Sequence, residues 1–320
     1  MKILVVGAGA LGGYFGARLL ENGADVTFLL RAGRARQIAN SGLIVHSPFG
    51  DTVIKNPQVV SRESLAAAPT HYDVIVVGCK AYDLDDTMDA FAPAVRADTA
   101  IVPLLNGIAH LARLRARFSD ANVLGGYCLI SAALDQAGHI HHLNDSHQLY
   151  FGELDGALSD RVQHLRQCFA GARCEAIASE RIVERMWEKW VQIATAAGMT
   201  TLMRASIGTI VSSGGASFAR ALFDECAAIA SKAGYPLSEE AANRISSVVT
   251  DASSLVTASM MKDMERLAQV EADHLIGELI ELRDNAESTR SATTADQISL
   301  LDLVMLNLRA YQRRHLAPSS

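Results

Sequence analysis

The sequence predicts two domains, an α/β N-terminal domain of the Rossmann type and an all-α C-terminal domain. Short apolar runs rich in β-branched residues recur in the first half of the chain, and turn or helix signals separate them. Beyond Leu158 these runs disappear and helical patterns take over. A chain of 320 residues is also long for a single core. We therefore expect an α/β domain over residues 1–178 and a helical domain over residues 179–320.

The first strand and the glycine turn after it indicate a dinucleotide-binding site. Residues 3–6 are short, apolar and ended by glycine, which predicts a buried parallel strand. Gly7, Gly9 and Gly12 then follow the G-x-G-x-x-G spacing, which allows a tight turn, a close approach to a pyrophosphate and close helix packing. The helix predicted over residues 11–22 would bind phosphates at its N-terminal N–H groups. We expect the cofactor to contact the whole turn, Gly7, Ala8, Gly9, Ala10, Leu11 and Gly12.

The end of the second predicted strand, residues 25–29, favours NADP(H) over NAD(H). An NAD site places a carboxylate there, about 20 residues after the glycines, to bind the ribose 2′-hydroxyl. This chain has Arg31 instead, with Arg34 and Arg36 nearby in sequence. A guanidinium group binds a phosphate through two parallel hydrogen bonds, whereas a carboxylate would repel it. The alternative is that these arginines are solvated residues at the start of a surface helix.

Two further predicted strands end in polar residues. Residues 72–78 lead to Lys80, and residues 100–105 lead to Asn106. Ligands of open α/β sheets bind beyond the carboxyl ends of the strands, so we expect both side chains to line the active site. The alternative is a surface lysine and an Asn-Gly turn.

The remaining elements follow from local patterns. In the first domain we predict a helix over residues 34–40, strands over residues 42–46 and 52–55, a strand from residue 123, and a hairpin of residues 128–134 and 139–143. Towards the second domain we predict a helix over residues 159–170, a connection over 172–179, a long helix over 181–197, and breaks near 212–215 and 234–236.

The hairpin region contains four histidines, His139, His141, His142 and His147. Nothing in their spacing fixes a tetrahedral geometry, and the H-E-x-x-H pattern is absent from the sequence. We therefore predict a partly exposed hairpin face and no metal.

Composition narrows the class of protein. The formal net charge of −6 argues against nucleic acid or an anionic membrane surface as a partner. No apolar run reaches the length of a membrane span, and the apolar N-terminus is already the strand of the glycine motif. The five cysteines are scattered and lack a C-x-x-C pair, which is typical of reduced thiols in a cytoplasmic protein.

Lys189 is the candidate proton donor of the helical domain. It lies early in the predicted long helix, between Trp187 and Trp190. Apolar neighbours would desolvate the ammonium group and lower its pKa from about 10.4 towards the range useful for proton donation. Hydride delivery to a ketone needs such a donor for the developing alkoxide. The alternative is a lysine at the helix edge whose ammonium group reaches water.

Several motifs, taken together and in order, match a known family. They are the glycine turn, Arg31, Cys79-Lys80-Ala81, Asn106-Gly107, Trp187-Glu188-Lys189, Ser259-Met260-Met261-Lys262-Asp263 and Glu271-Ala272-Asp273. Over nearly its whole length the chain resembles the ketopantoate reductase (2-dehydropantoate 2-reductase) family.

The resemblance implies a role for each matching residue. Lys189 would be the general acid, and Glu271 would help to position the reacting hydroxyl. Ser259 would bind the substrate carboxylate. Lys80 and Asn106 would line the active site, in reach of both cofactor and substrate.

Two features of the helical domain bear on this assignment. Ser259 and Glu271 are twelve residues apart, about 18 Å on a straight helix, which is too far for both to contact a five- or six-carbon acid. Either the helix breaks between residues 266 and 270, where neither glycine nor proline occurs, or the assignment of these two residues to one site is wrong. Family members usually carry asparagines four and eight residues after the lysine, where this chain has Ile193 and Ala197. A pocket without those amides should favour a more apolar ligand.

The sequence thus predicts NADPH-dependent reduction of a small 2-oxo acid to the 2-hydroxy acid. The substrate implied by the resemblance is 2-dehydropantoate, the precursor of pantoate in the pantothenate and coenzyme A pathway, or a close analogue. We expect a cytoplasmic enzyme, with a homodimer as a possible assembly. The alternatives are a related reductase of a more apolar 2-oxo acid or ketone, and an NADP-binding sensor without turnover.

Overall fold

The chain divides into two units, Met1–Val183 and Glu184–Ser320. The structure is a computed structural model, and it describes residues 1–287 and 299–315. The first unit combines helices with two β-sheets, and the described part of the second unit is helical. The predicted fold class is therefore confirmed.

The first unit contains ten strands and six α-helices among its described elements. In chain order they are β1 (Lys2–Val6), α1 (Ala10–Glu21), β2 (Asp25–Leu29), α2 (Ala32–Ser41), β3 (Leu43–His46), β4 (Thr52–Ile54), β5 (Gln58–Val60), α3 (Arg62–Ala67), β6 (Val74–Val77), α4 (Leu84–Phe91), β7 (Ala100–Pro103), α5 (Ala109–Arg117), β8 (Leu124–Leu134), β9 (Ile140–Glu153), α6 (Asp160–Cys168) and β10 (Glu175–Ala178).

The main sheet is parallel, with the strand order β5-β2-β1-β6-β7. Its central strand β1 is buried along Ile3, Leu4 and Val5, as expected for a strand covered on both faces. This order corresponds to strands 3-2-1-4-5 of a dinucleotide-binding sheet, with β1 next to the point where the strand order reverses. The carboxyl ends of all five strands therefore lie at one edge, and the glycine turn follows β1 at that edge.

A second sheet is built around the long hairpin of β8 and β9. Strand β9 pairs with β8 on one side, and β3 and β10 also pair with it, both in parallel. The prediction of a simple connection over residues 172–179 was wrong, because this segment contains β10. Its sequence, Glu-Ala-Ile-Ala, has no clear alternation of polar and apolar residues and is rich in alanine, so its intrinsic strand propensity is low. The segment is a strand because it pairs with β9.

The hairpin histidines differ from the prediction of a partly exposed face. His139 and His141 are partly exposed beside Asp135, as expected. His142 and His147 are buried instead. The ring of His147 stacks on Phe49, its Nδ1 is hydrogen-bonded to the Tyr14 hydroxyl at 3.1 Å, and burial lowers its pKa. Among the described residues, no group of three or more His, Cys, Asp or Glu side chains could hold a metal ion.

Helices make up the second unit. Helix α7 (Ile182–Met203) leads into α8 (Ile207–Ile210), α9 (Ala216–Lys232), α10 (Glu239–Val249), α11 (Ser259–Glu265), α12 (Glu278–Glu287) and α13 (Leu300–His315), with π-helical turns at Val211–Gly215 and Asp273–Gly277. Within the described part of the chain, no helix is both long and apolar enough to span a membrane. All five cysteines are free thiols, and three of them are buried.

Helix α7 is longer than predicted. The expected end near residue 197 was wrong because Gly198 lies inside the helix. A Cβ atom at Gly198 would come within 2.7 Å of the Leu222 side chain on α9, so this glycine allows two helices to approach closely. A single glycine was therefore a packing feature here and not a helix end.

The helix break required between Ser259 and Glu271 is present. Helix α11 ends at Glu265, and Leu267 takes a left-handed conformation with φ of 55°. The N–H of Leu267 donates to the carbonyl of Met264, and the N–H of Ala268 donates to that of Asp263. These two bonds form a Schellman motif, which usually has glycine at the left-handed position. The sequence did not announce the break because a leucine occupies that position.

We predict that Leu267→Gly stabilises the protein. A left-handed conformation at a non-glycine residue destabilises the folded state by about 1–2 kcal/mol, and glycine removes this strain. Glycine also raises the conformational entropy of the unfolded chain, which opposes the effect, so we expect a net stabilisation of about 0.5–1 kcal/mol. The leucine side chain is 59% exposed, and its removal therefore forfeits little packing. The free energy of unfolding, measured by urea denaturation, checks the prediction. Leu267→Ala is the control, since it removes the side chain and keeps the strain; equal stabilities of the two variants would contradict our account.

Candidate functional site

The glycine turn forms an open backbone cradle at the N-terminus of α1. Gly7 has φ of 89°, and a Cβ atom at Gly12 would collide with the Gly7 carbonyl oxygen, so the turn and α1 are in close contact. A Cβ atom at Gly9 would instead meet no protein atom within 4 Å. Gly9 is also the N-cap of α1, where no side-chain cap occupies the first N–H groups. The turn thus fits a dinucleotide pyrophosphate, bound at Gly9 and the N-terminus of α1.

A cavity of about 670 Å³ opens at this turn. It is lined by the glycine turn and by the ends of β2, β5 and β6. Three of the six turn residues predicted to contact a cofactor line it, namely Gly7, Ala8 and Gly9. Leu11 packs against the core instead, and Gly12 packs on the turn itself. Lys80 and Arg31 line the cavity, whereas Asn106 follows β7 and is not among its lining residues.

Arg31 is the N-cap residue of α2 and lies two residues after the end of β2, close to where the sequence predicted the cofactor-selecting residue. Its Nη2 donates to Asp83 at 3.0 Å and to Asp86 at 2.9 Å. The Arg31 guanidinium lowers the pKa of Asp86, so this carboxylate is ionised at neutral pH. Arg62, at the start of α3, pairs with the other oxygen of Asp86 at 2.7 Å. Asp83, Asp86 and Arg62 were not predicted from the sequence, because all three reach the cavity from elements that are distant in sequence from the glycine turn.

Arg34 follows Arg31 closely in sequence, but its side chain is hydrogen-bonded to two backbone carbonyls. Its Nε donates to the carbonyl of Ala8 in the glycine turn at 2.7 Å, and its Nη1 donates to the carbonyl of Gly138 in the β8–β9 turn at 2.7 Å. Burial lowers the pKa of this guanidinium group. Arg34 therefore joins the phosphate turn to the hairpin. Arg36, on the same helix, is exposed and does not line the cavity.

In the second unit, Lys189 is partly buried on α7 between two buried tryptophans. Trp187 and Trp190 have ring centroids 5.0 Å apart, and Trp187 also stacks on Tyr235. The neighbouring Glu188 is buried and accepts hydrogen bonds from Arg185 and Arg244, at 3.0 and 2.9 Å. Ring stacking with Tyr235 and ion pairs with Arg185 and Arg244 therefore fix this turn of α7.

Glu271 is joined to that turn of α7 through two hydrogen bonds. The indole N–H of Trp190 donates to the Leu275 carbonyl at 2.9 Å, and the N–H of Leu275 donates to the Glu271 carbonyl at 2.9 Å. Glu271 itself is partly buried. The backbone that follows Glu271 is thus bonded to Trp190, the residue after Lys189 on α7.

Ser259 begins α11, and its segment is hydrogen-bonded to α7 near the C-terminal end of that helix. The N–H of Ala258, the residue before it, donates to the Thr200 hydroxyl at 3.3 Å. Thr200 and Trp190 are ten residues apart, about 15 Å along the helix axis. Ser259 is exposed, and its segment is fixed at the far end of the face that begins with Lys189.

The stretch of α7 between Trp190 and Thr200 contains few polar side chains. Ile193 is partly buried and Ala197 is buried. The nearby hydroxyls of Thr195 and Thr200 donate to helix carbonyls four residues earlier, at 2.8 and 2.7 Å. Neither hydroxyl proton is therefore available to replace the asparagine amides that the resemblance led us to expect at positions 193 and 197.

Comparison with known proteins identifies two matching family models. Residues 3–156 match the model described as ketopantoate reductase PanE/ApbA, and residues 181–295 match its C-terminal counterpart. The chain is 37% identical over 313 residues to the uncharacterized oxidoreductase YkpB of Bacillus subtilis (strain 168), covering 98% of this chain and 99% of that protein.

Solved structures agree with these matches. The crystal structure of 2-dehydropantoate 2-reductase from Methylococcus capsulatus is similar with a TM-score of 0.84 and 26% identity, covering 100% of this chain and 99% of that one. A ternary structure of D-mandelate dehydrogenase with NADH and anilino(oxo)acetate also has a TM-score of 0.84, covering 99% of this chain and 100% of that one. At 20% identity this second likeness concerns the fold alone.

We predict opposite consequences for the same substitution at two glycines of the turn. Gly9→Ala should leave the melting temperature nearly unchanged but weaken binding of the dinucleotide, because the new methyl group enters the cradle. Gly12→Ala should lower the melting temperature, because its methyl group collides with the Gly7 carbonyl. Thermal denaturation of both variants measures the melting temperatures, and calorimetric titration measures binding of the dinucleotide. A Gly9→Ala protein that binds the dinucleotide like wild type would contradict the assignment of the cradle.

Proposed function

This chain belongs to the ketopantoate reductase family, and from that premise we propose that it reduces a small 2-oxo acid to the 2-hydroxy acid with NADPH. The proposed substrate is 2-dehydropantoate, which is reduced to pantoate, or a close analogue that is reduced in the same way. The observation that supports the proposal is the position of Lys189 on α7, between the buried Trp187 and Trp190, where the indole N–H of Trp190 donates to the Leu275 carbonyl in the turn that follows Glu271.

The chain's own groups then have distinct tasks. The bound cofactor supplies a hydride to the carbonyl carbon. The ammonium group of Lys189 donates the proton that the developing alkoxide needs, and its partial burial strengthens that interaction. The carboxylate of Glu271 accepts a hydrogen bond from the resulting hydroxyl and orients it. The Ser259 hydroxyl donates to the substrate carboxylate, and Lys80 and Asn106 line the active site.

The choice of NADPH rests on Arg31. It stands where NAD sites carry a carboxylate, and it lines the cavity next to the phosphate turn. A D-mandelate dehydrogenase with NADH shares this fold, so the fold alone does not select between the two cofactors. We propose that the enzyme acts in the cytoplasm, as a homodimer, in the supply of pantothenate.

A second candidate substrate has its own support. Ile193 and Ala197 replace the usual asparagines, and the hydroxyls of Thr195 and Thr200 are already bonded within the helix. These features favour a 2-oxo acid whose side chain is alkyl and lacks the hydroxyl of ketopantoate. A sensor without turnover is disfavoured, because Lys189, Glu271 and Ser259 would then have no task.

We predict that Lys189→Ala lowers kcat by about 100-fold or more, because it removes the proton donor. Affinity for NADPH should stay within about twofold, since the dinucleotide cradle lies in the first unit. NADPH oxidation with a panel of 2-oxo acids and calorimetric titration of NADPH measure the two quantities. Lys232→Ala, an exposed lysine of the same unit, is the control. A wild-type kcat in Lys189→Ala would reduce this lysine to a structural role, and no turnover of any acid by the wild type would favour the sensor.

We also predict that kcat/KM is higher for a branched alkyl 2-oxo acid of similar size than for ketopantoate. A polar group that faces an apolar wall loses about 1–3 kcal/mol of hydrogen bonding to water. Ile193→Asn should therefore raise kcat/KM for ketopantoate relative to the alkyl acid by about tenfold. Ile193→Leu, which stays apolar, should leave the ratio unchanged. A wild-type preference for ketopantoate would refute the substrate shift while leaving the reductase chemistry intact.

A further inference from the structure

The carboxylate of Asp86 lies between two arginines at the rim of the cofactor cavity. Arg31 contacts one of its oxygens at 2.9 Å, and Arg62 contacts the other at 2.7 Å. The three residues come from α2, α3 and α4, and all three line the cavity. One anionic group is thus held by two guanidinium groups that approach it from different elements.

This anion is not a buried structural one. The side chains of Arg31, Arg62 and Asp86 are 66%, 49% and 55% exposed. Exposed ion pairs contribute about 0–1 kcal/mol, so another anion can take the place of Asp86 at small cost. Water would then solvate the released carboxylate. The two arginines therefore form an anion site that the protein's own carboxylate fills.

We propose that Arg62 is a second ligand of the NADPH 2′-phosphate, together with Arg31, and that Asp86 holds both arginines in position until the phosphate displaces it. This inference rests on the proposed use of NADPH. A phosphate monoester carries about −1.5 to −2 charges at pH 7 and offers three acceptor oxygens, so it binds two guanidinium groups more strongly than one carboxylate does.

The same arrangement limits the affinity for NADPH. Asp86, once displaced, remains close to the bound phosphate, and Asp83 contacts Arg31 from the other side at 3.0 Å. Both carboxylates repel the phosphate, whereas the 2′-hydroxyl of NADH is not repelled. Removal of the Asp86 charge should therefore strengthen binding of NADPH selectively.

Binding rather than turnover tests this inference. Dissociation constants for NADPH and NADH, and for adenosine 2′,5′-bisphosphate and 5′-AMP, are measured by calorimetry at low ionic strength. The variants are Arg62→Gln, Arg31→Gln and Asp86→Asn. Arg36→Gln is the control for the arginines because it is exposed outside the cavity. Asp85→Asn is the control for Asp86, because Asp85 neighbours it on α4 but pairs with Arg113.

We expect Arg62→Gln to weaken binding of NADPH and of the bisphosphate by about fivefold to tenfold. Binding of NADH and 5′-AMP should stay within about twofold, which also shows that the variant is folded. Asp86→Asn should tighten NADPH binding by about threefold, and the two controls should match wild type.

Two results would overturn the inference in different ways. If wild type prefers NADPH and Arg31→Gln removes the preference, but Arg62→Gln affects both cofactors equally or neither, Arg62 is not a phosphate ligand and the proposed function stands. If wild type binds NADH as tightly as NADPH, the choice of cofactor in the proposed function fails together with the role of Arg62.

Discussion

The first unit depends on the close approach of three backbone segments at the glycine turn. The N–H of Gly7 donates to the end of β2, and the N–H of Gly78 donates to the end of β1. A Cβ atom at Gly78 would lie 3.1 Å from the Cα atom of Gly12. Side chains at these positions would push α1 away from the sheet. Because none is present, the N-terminus of α1 stands directly over the strand ends, and the cavity forms beside it.

Helix α7 has the corresponding role in the second unit. Trp190 connects one part of it to Leu275, and Thr200 connects another to Ala258. These two contacts set the spacing between the segments of Glu271 and Ser259. The break at Leu267 ends α11 at Glu265, so the direction from Ser259 to Glu271 is set by these contacts with α7 and not by one continuous helix axis.

The sequence allowed prediction where a signal is local. The strand–glycine–helix pattern at Gly7 and the residue after β2 are read within about 30 consecutive residues, and the predicted strands of the main sheet are all present. The remaining features depend on tertiary contacts. Strand β10 exists through its pairing with β9, and Arg62 reaches Asp86 across 24 residues. Leu267 shows a further reason: it takes a conformation that its residue type disfavours, so residue preference argues against the observed structure.

Both tryptophans of the chain lie within two residues of Lys189. Trp187 stacks on Tyr235 with ring centroids 5.4 Å apart, and the indole N–H of Trp190 is bonded to a carbonyl. Indole emission depends on the polarity and hydrogen bonding of its surroundings. The tryptophan fluorescence of this protein therefore originates from a single turn of one helix, and the chain carries a spectroscopic reporter beside its candidate proton donor without any label.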